Sequence, residues 1–358
     1  MKSKVVLFFL LSLLFLSGCS KALYISKLGW HQAFVTFRSV PVQEVLEDEQ
    51  IPAEDKEKIR FIQEVKRYGE ERLGLKETGS FTTYFEVQGP ILHVVTASEK
   101  DRLEAYGWTF PIVGKVTYKG FFTRGDAVAE KARLDKNGYD TFVRRADAYS
   151  TLGWLKDPIF SSMLKWDKGD LANLILHEMA HGTVYFKKKT DLNEQMATFI
   201  GNQGAIDFLR GKFGSDSREM LRAVEAQEDD LLFSRWIDQA CGRLSSFYGQ
   251  PISREEKVKG REDVFLSLQE EFMGVKGQFK TEMFLNFARI PLNNAVLLAH
   301  HQYLHGMDTF ERLLDYFRQD LSRVIELMKE VQASGEDPSV YLDRWMAEKG
   351  VTVSSSLQ

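Results

Sequence analysis

The run Leu174-Ile175-Leu176-His177-Glu178-Met179-Ala180-His181 sets two histidines four residues apart, with a glutamate directly after the first. On an α-helix such residues share a face, so both imidazoles can reach one metal ion. The three aliphatic residues before His177 predict a partly buried helix. Three ionisable groups within five positions of it are costly unless a ligand compensates them. The chemistry that fits is a single Zn²⁺ held by His177 and His181.

The third ligand separates the possible classes of site. A metzincin pattern would need histidine at 187 and glycine at 184, where this chain has Lys187 and Val184, so that class is excluded. Asn193-Glu194-Gln195-Met196-Ala197-Thr198 instead offers a carboxylate at the start of a second helix. The thirteen residues from His181 to Glu194 let the first helix finish near Phe186, turn through Lys187-Lys188-Lys189 and return. Ala197, one turn on, would let the two helices approach closely. Two histidines and one glutamate leave zinc a fourth position for water, which the ion acidifies. Glu178 is then placed to take a proton from that water and hand it to a leaving amine. The reaction expected is peptide-bond hydrolysis.

Several elements must position this set. Ile59, Ile62 and Val65 share one face of an early helix. Phe81 to Val87 and Ile91 to Ala97, flanking Gln88-Gly89-Pro90, read as a hairpin. A third β-like run covers Gly114 to Phe122, a helix Asp126 to Asp135, and a fourth strand Thr141 to Tyr149. From Leu171 the pattern is helical, and Phe310, Leu313, Leu314, Phe317, Leu321, Val324, Ile325 and Met328 trace one apolar, core-facing stripe. The fold class expected is α+β and mainly helical, with a small mixed or antiparallel sheet before the zinc helix and a helical carboxy-terminal half. Residues 19–165 would form an α+β subdomain and 166–358 the zinc helix and helical subdomain of one unit, with a cleft at their seam.

The 358 residues are 44% hydrophobic and 27% charged, a globular composition, and a net charge of -4 gives no electrostatic reason to expect a nucleic-acid partner. The short basic run Lys187-Lys188-Lys189 reads as a solvated helix end or loop. Lys2 and Lys4 precede an apolar run, Val5 to Leu11 and Leu13 to Leu16, that reads as a secretory signal over residues 1–18. Leu16-Ser17-Gly18-Cys19 resembles the bacterial lipoprotein cleavage box, which implies cleavage before Cys19, lipid on Cys19 and a membrane anchor. Ser20 is not the aspartate associated with inner-membrane retention, so the outer membrane is favoured. The one other cysteine, Cys241, has no partner and is expected to be a small buried residue.

The chain resembles the bacterial "predicted aminopeptidase" family of gluzincin-like zinc metallopeptidases, in its lipoprotein form. The resemblance covers most of the mature chain. It rests on Trp108 to Gly114, Tyr118-Lys119-Gly120-Phe121-Phe122, Ala148 to Trp154, Asp157-Pro158, His177 to His181, Asn193-Glu194 and Asn293-Asn294-Ala295. It implies His177, His181 and Glu194 as zinc ligands and Glu178 as catalytic base. Many members have cysteines where this chain has Thr109 and Lys115, so any bridge there is absent. Many also carry an acid where this chain has Gly201, so support for the metal must come from another residue.

Tyr149 and Tyr303 are candidates to stabilise an oxyanion. By analogy with gluzincin folds, the strand leading to Ser150 would pair with extended substrate. His300, His301 and His305 read as core or solvated residues, since the zinc set is complete without them. The partners expected are a peptide or protein substrate and a membrane. Aminopeptidase activity leads, with an endopeptidase or cell-wall peptide amidase using the same site as rivals. A peptide-binding lipoprotein with structural zinc is a further alternative, although structural sites normally carry four protein ligands.

Overall fold

The computed structural model describes residues 24–87, 89, 91–110, 114–146, 156–304 and 308–351. Residues 24–38 form helix α1, followed by strand β1 (Val40–Pro41), α2 (Val42–Glu47), α3 (Ala53–Glu71), β2 (Thr83–Phe85) and β3 (Leu92–Ser98). Next come β4 (Trp108–Phe110), β5 (Gly114–Val116), β6 (Tyr118–Phe121), α4 (Arg124–Lys136), β7 (Asp140–Ala146) and β8 (Ile159–Phe160). The remainder is helical: α5 (Lys168–Thr183), α6 (Thr190–Phe213), α7 (Arg218–Tyr248), α8 (Arg254–Val275), α9 (Asn294–Leu304), α10 (Asp308–Tyr316), α11 (Leu321–Ser334) and α12 (Pro338–Lys349). The fold is α+β and mainly helical, with its small sheets ahead of α5.

The strand pairings differ from the expected hairpin. β2 and β3 belong to separate sheets, ordered β1-β2-β8 and β6-β3-β7. β3 is buried from His93 to Ser98, and such a strand needs a neighbour on each edge and cover on both faces. β6 and β7 take its two edges, both antiparallel, and β2 instead pairs antiparallel with β1 and parallel with β8. The run Gly114 to Phe122 also divides. Its first part pairs with β4 and its second with β3. Thr109 and Lys115 are direct register partners across the β4–β5 pair.

The late apolar stripe belongs to two helices rather than one. Arg318 and Gln319 adopt left-handed φ values of 54° and 66° between α10 and α11, and Asp320 caps α11 by accepting from the Ser322 N–H. The periodicity runs through the break because Phe310, Leu313 and Leu314 enter the same core as Leu321, Val324, Ile325 and Met328.

Three apolar clusters hold the described residues together. The largest joins α3, β2, β8, α5, α6 and the terminal helices α10 to α12. A second lies among α7, α8 and α9 and holds Cys241, whose thiol is pushed up to about 12 first by burial and then by nearby Asp238. A third lies between the β3 sheet and α4. Asn294 ties the second and third: its side chain donates to the Glu99 and Arg102 carbonyls and accepts from the Tyr248 hydroxyl. Asn293 accepts from the Val296 N–H at the start of α9.

Candidate metal centre

Helix α5 starts at Asp167, whose side chain accepts from the Asp170 N–H at 3.0 Å, an arrangement that satisfies an otherwise orphaned donor. Leu171, Ala172, Ile175, Leu176, Met179 and Ala180 bury one side of the helix. Its other side presents Asp170, Asn173, Leu174, His177, Glu178 and His181 to a cleft of about 910 Å³. The return to α6 is closed by Asn193, whose amide oxygen accepts from the Phe186 N–H at 2.8 Å and whose Nδ2 donates to the Phe186 carbonyl at 2.9 Å. That bracket fixes the next residue, Glu194, opposite the histidines.

The Nε2 atoms of His177 and His181 lie 3.2 Å apart, and Glu194 Oε2 lies 3.6 Å from each. A tetrahedral ion with ligand bonds of about 2.0–2.1 Å separates its ligand atoms by about 3.3–3.4 Å. The three observed spacings bracket that value, so the donor set fits zinc. Burial would raise the Glu194 carboxyl, but hydrogen bonding and charge from both imidazoles outweigh it and hold the group at about 2. Burial works against a charged His181, yet Glu194 and then Glu178 push its pKa up. Glu178 Oε2 is buried without a hydrogen-bond partner among the described residues, as is His181 Nδ1.

Behind the histidines runs a polar chain that sequence reading missed. Asn173 donates to Asn202, and Asn202 Nδ2 donates to Asp230 Oδ2 at 3.2 Å. Burial drives Asp230 up to about 7, opposed by the Asn202 hydrogen bond and reinforced by Asp229 and Asp170. Asp170 is raised to about 6, first by burial and then by Asp167, with Arg222 opposing. A sequence signal for Asp170 and Asn173 was present: they stand seven and four residues before His177, on its face of the helix. Arg144 on β7 and Tyr118 on β6 also line the cleft, and strand alternation alone carried no sign of it.

Of the other candidates, Tyr149, Ser150, His305 and Cys19 lie outside the described residues. Tyr303 stands near the end of α9, its side chain likewise outside the description. Ala146, at the end of β7, lines the cleft, so the strand that leads toward Ser150 borders the site. His300 packs against Phe142, Phe233 and Phe287, where desolvation first, and Arg144 second, lower it to about 4. His301 pairs with Asp238 at 3.1 Å.

Residues 23–338 match the family model described as "Putative aminopeptidase". The chain belongs to this family. The matched span takes in every strand of both three-stranded sheets and the helices that carry His177, Glu178, His181 and Glu194. No curated protein and no solved structure matches the chain. The putative-aminopeptidase family name points to a peptidase, and His177, His181 and Glu194 are a group able to hold a metal.

Proposed function

We propose that this chain is a zinc-dependent peptidase of the gluzincin type, exported and held at the cell envelope by lipid on Cys19, with the outer membrane favoured. The observation that carries the catalytic reading is the spacing of the His177, His181 and Glu194 ligand atoms, 3.2, 3.6 and 3.6 Å. Three protein ligands, rather than the four of a structural site, fit a catalytic role. Zinc bound by them would supply Lewis acidity, polarising the scissile carbonyl and acidifying a water. Glu178 would take a proton from a water held there and pass it to the leaving nitrogen. Its Oε2 is buried and free of a hydrogen-bond partner among the described residues, which leaves that oxygen available to a proton. The cleft walls are largely apolar, and Arg144 supplies positive charge within it.

Removal of single amino-terminal residues is the reaction that the family name indicates. Internal cleavage is a second reading, favoured by the position of Asp170. A free α-amine next to the scissile bond needs a carboxylate close to the metal. Among the described acids of the cleft, Glu178 and Glu194 already have roles. Asp170 stands two helical turns before His177, about 10 Å along the axis.

The test is metal analysis together with cleavage of a peptide library that bears free and blocked amino termini, on wild type and Glu178→Gln. One zinc per chain with turnover lost in the variant is expected. Single residues released only from free ends define an aminopeptidase, and cuts within blocked peptides define an endopeptidase. Persistent hydrolysis in Glu178→Gln would sink the assigned role.

A further inference from the structure

Helix α1 has two faces with different partners. Tyr24, His31 and Val35 turn inward: the Tyr24 hydroxyl donates to the Gly120 carbonyl at 2.7 Å, His31 stacks on Phe122 at 4.7 Å, and Val35 joins the main core. Trp30, Phe34 and Phe37, spaced four and three residues apart, form an outward stripe, with Trp30 74% and Phe37 88% exposed. Such exposure of neighbouring aromatic side chains marks a surface that meets another apolar phase.

We propose that this stripe seats the protein on an anionic lipid bilayer, with α1 lying in the plane of the interface. Three observations select a membrane over other occupants. On the reading that Cys19 carries lipid, Tyr24 lies only five residue steps beyond the anchor, a reach of at most about 17 Å, so α1 cannot leave the vicinity of the bilayer. Charge is segregated to match. From Cys19, where that reading starts the mature chain, to the first acid, Glu44, the only charged side chains are Lys21, Lys27 and Arg38, in a chain whose net charge is -4. Arg38 borders the aromatic stripe, over the Phe34 ring at 5.3 Å, while Lys27 is paired with Asp126 of α4 at 2.9 Å. Aromatic residues on one helical face with basic residues beside them are the signature of an interfacial helix.

The consequence reaches the catalytic cleft. Tyr24, Ile25, Leu28 and Gly29 of the same helix form one of its walls. A seated α1 therefore places the mouth of the cleft beside the headgroups, and the substrates within reach are peptide segments displayed at the membrane surface.

The test uses the full chain reconstituted in vesicles of phosphatidylethanolamine and phosphatidylglycerol, with a spin label at Phe37→Cys or, as control, at exposed Leu266→Cys in α8. Buried Cys241 takes no label. Accessibility to a water-soluble nickel relaxant should fall roughly fivefold or more at Phe37→Cys relative to Leu266→Cys, with oxygen accessibility rising. A mass measurement on the amino-terminal peptide reports lipid on Cys19 separately. Lipid present with a water-exposed Phe37→Cys label overturns the seat and leaves the anchor standing. No lipid on Cys19, with the label of a Cys19→Ser, Phe37→Cys chain still in the bilayer, supports the seat and removes the anchor. Shielding that grows with protein density at constant lipid makes a second copy the occupant and overturns the proposal.

Discussion

Gly201 of α6 lies so close to Asn173 of α5 that an added Cβ would stand 2.9 Å from the Asn173 backbone carbonyl, 2.7 Å from its Oδ1 and 3.2 Å from His177 Cβ. Backbone cannot yield as a side-chain tip can, so any larger residue must push the helices apart. Gly204 repeats the close approach, against Leu176 and Leu73. Glu194 rides on α6 and the histidines on α5, so this seam sets the distance between the candidate metal ligands. With glycine here no acid at position 201 can support His177; the polar chain of Asn173, Asn202 and Asp230 occupies this seam instead.

Gly201→Ala is therefore expected to cost about 1–3 kcal/mol of stability through overpacking. Zinc affinity should fall about tenfold as Glu194 shifts from the histidines. Urea denaturation and a competitive zinc titration measure the two effects. Unchanged zinc affinity would show that the seam does not control the ligand spacing.

Zinc should raise the melting temperature and a chelator should reverse the gain. At free zinc one hundredfold above Kd the stabilisation is about 2.7 kcal/mol. Glu194→Ala removes a ligand and should erase most of that increment, whereas Glu178→Gln should keep it. Thermal melts of the three proteins with and without zinc provide the measurement. A zinc shift retained in Glu194→Ala would place the third ligand elsewhere.

The pH behaviour of Asp230 has a definite sign. Its pKa in the fold is about 7, raised mainly by burial above the 3.8 of an ordinary aspartate. The stability that depends on its protonated form is fully present below pH about 4 and is lost as pH rises through 7. Asp230→Asn mimics the protonated form, so it should be more stable than wild type at pH 8, by about 1–3 kcal/mol, with the gain fading as pH falls to 4. Melts of both proteins across that range test it. A gain equal at both ends would mean that ionisation is not the cause. His300, lowered to about 4, titrates equally in both proteins and cancels in the difference.

Arg261 of α8 forks onto Asp140 at the start of β7 with contacts of 2.6 and 2.9 Å, both side chains 6% exposed. Truncation of one partner leaves a buried charge alone. Asp140→Ala should therefore cost about 3–5 kcal/mol, and Arg261→Met with Asp140→Leu should recover much of it. Denaturant titrations of the single and double variants decide the point.

The sequence by itself determined the parts whose information is local. The four-residue spacing of His177 and His181 is read directly because helical periodicity puts both on one face. Helix α4 and the buried faces of α3 and α5 follow from the same periodicity, with Thr123 capping α4 by accepting from the Asp126 N–H. Glu194 was legible because the chain between it and His181 is short enough to leave one sensible return path. Tertiary structure alone decided what depends on partners distant in sequence. β3 looked like half of a hairpin, but burial on both faces gave its edges to β6 and β7. The stripe from Phe310 to Met328 concealed a break, since two helices that face one core keep a common apolar rhythm. Arg144, and the relay through Asn202 and Asp230, reach the neighbourhood of the metal site only after the sheet and α7 pack around α5. No local pattern encodes such an approach, because it is fixed by how closely Gly201 lets two helices meet.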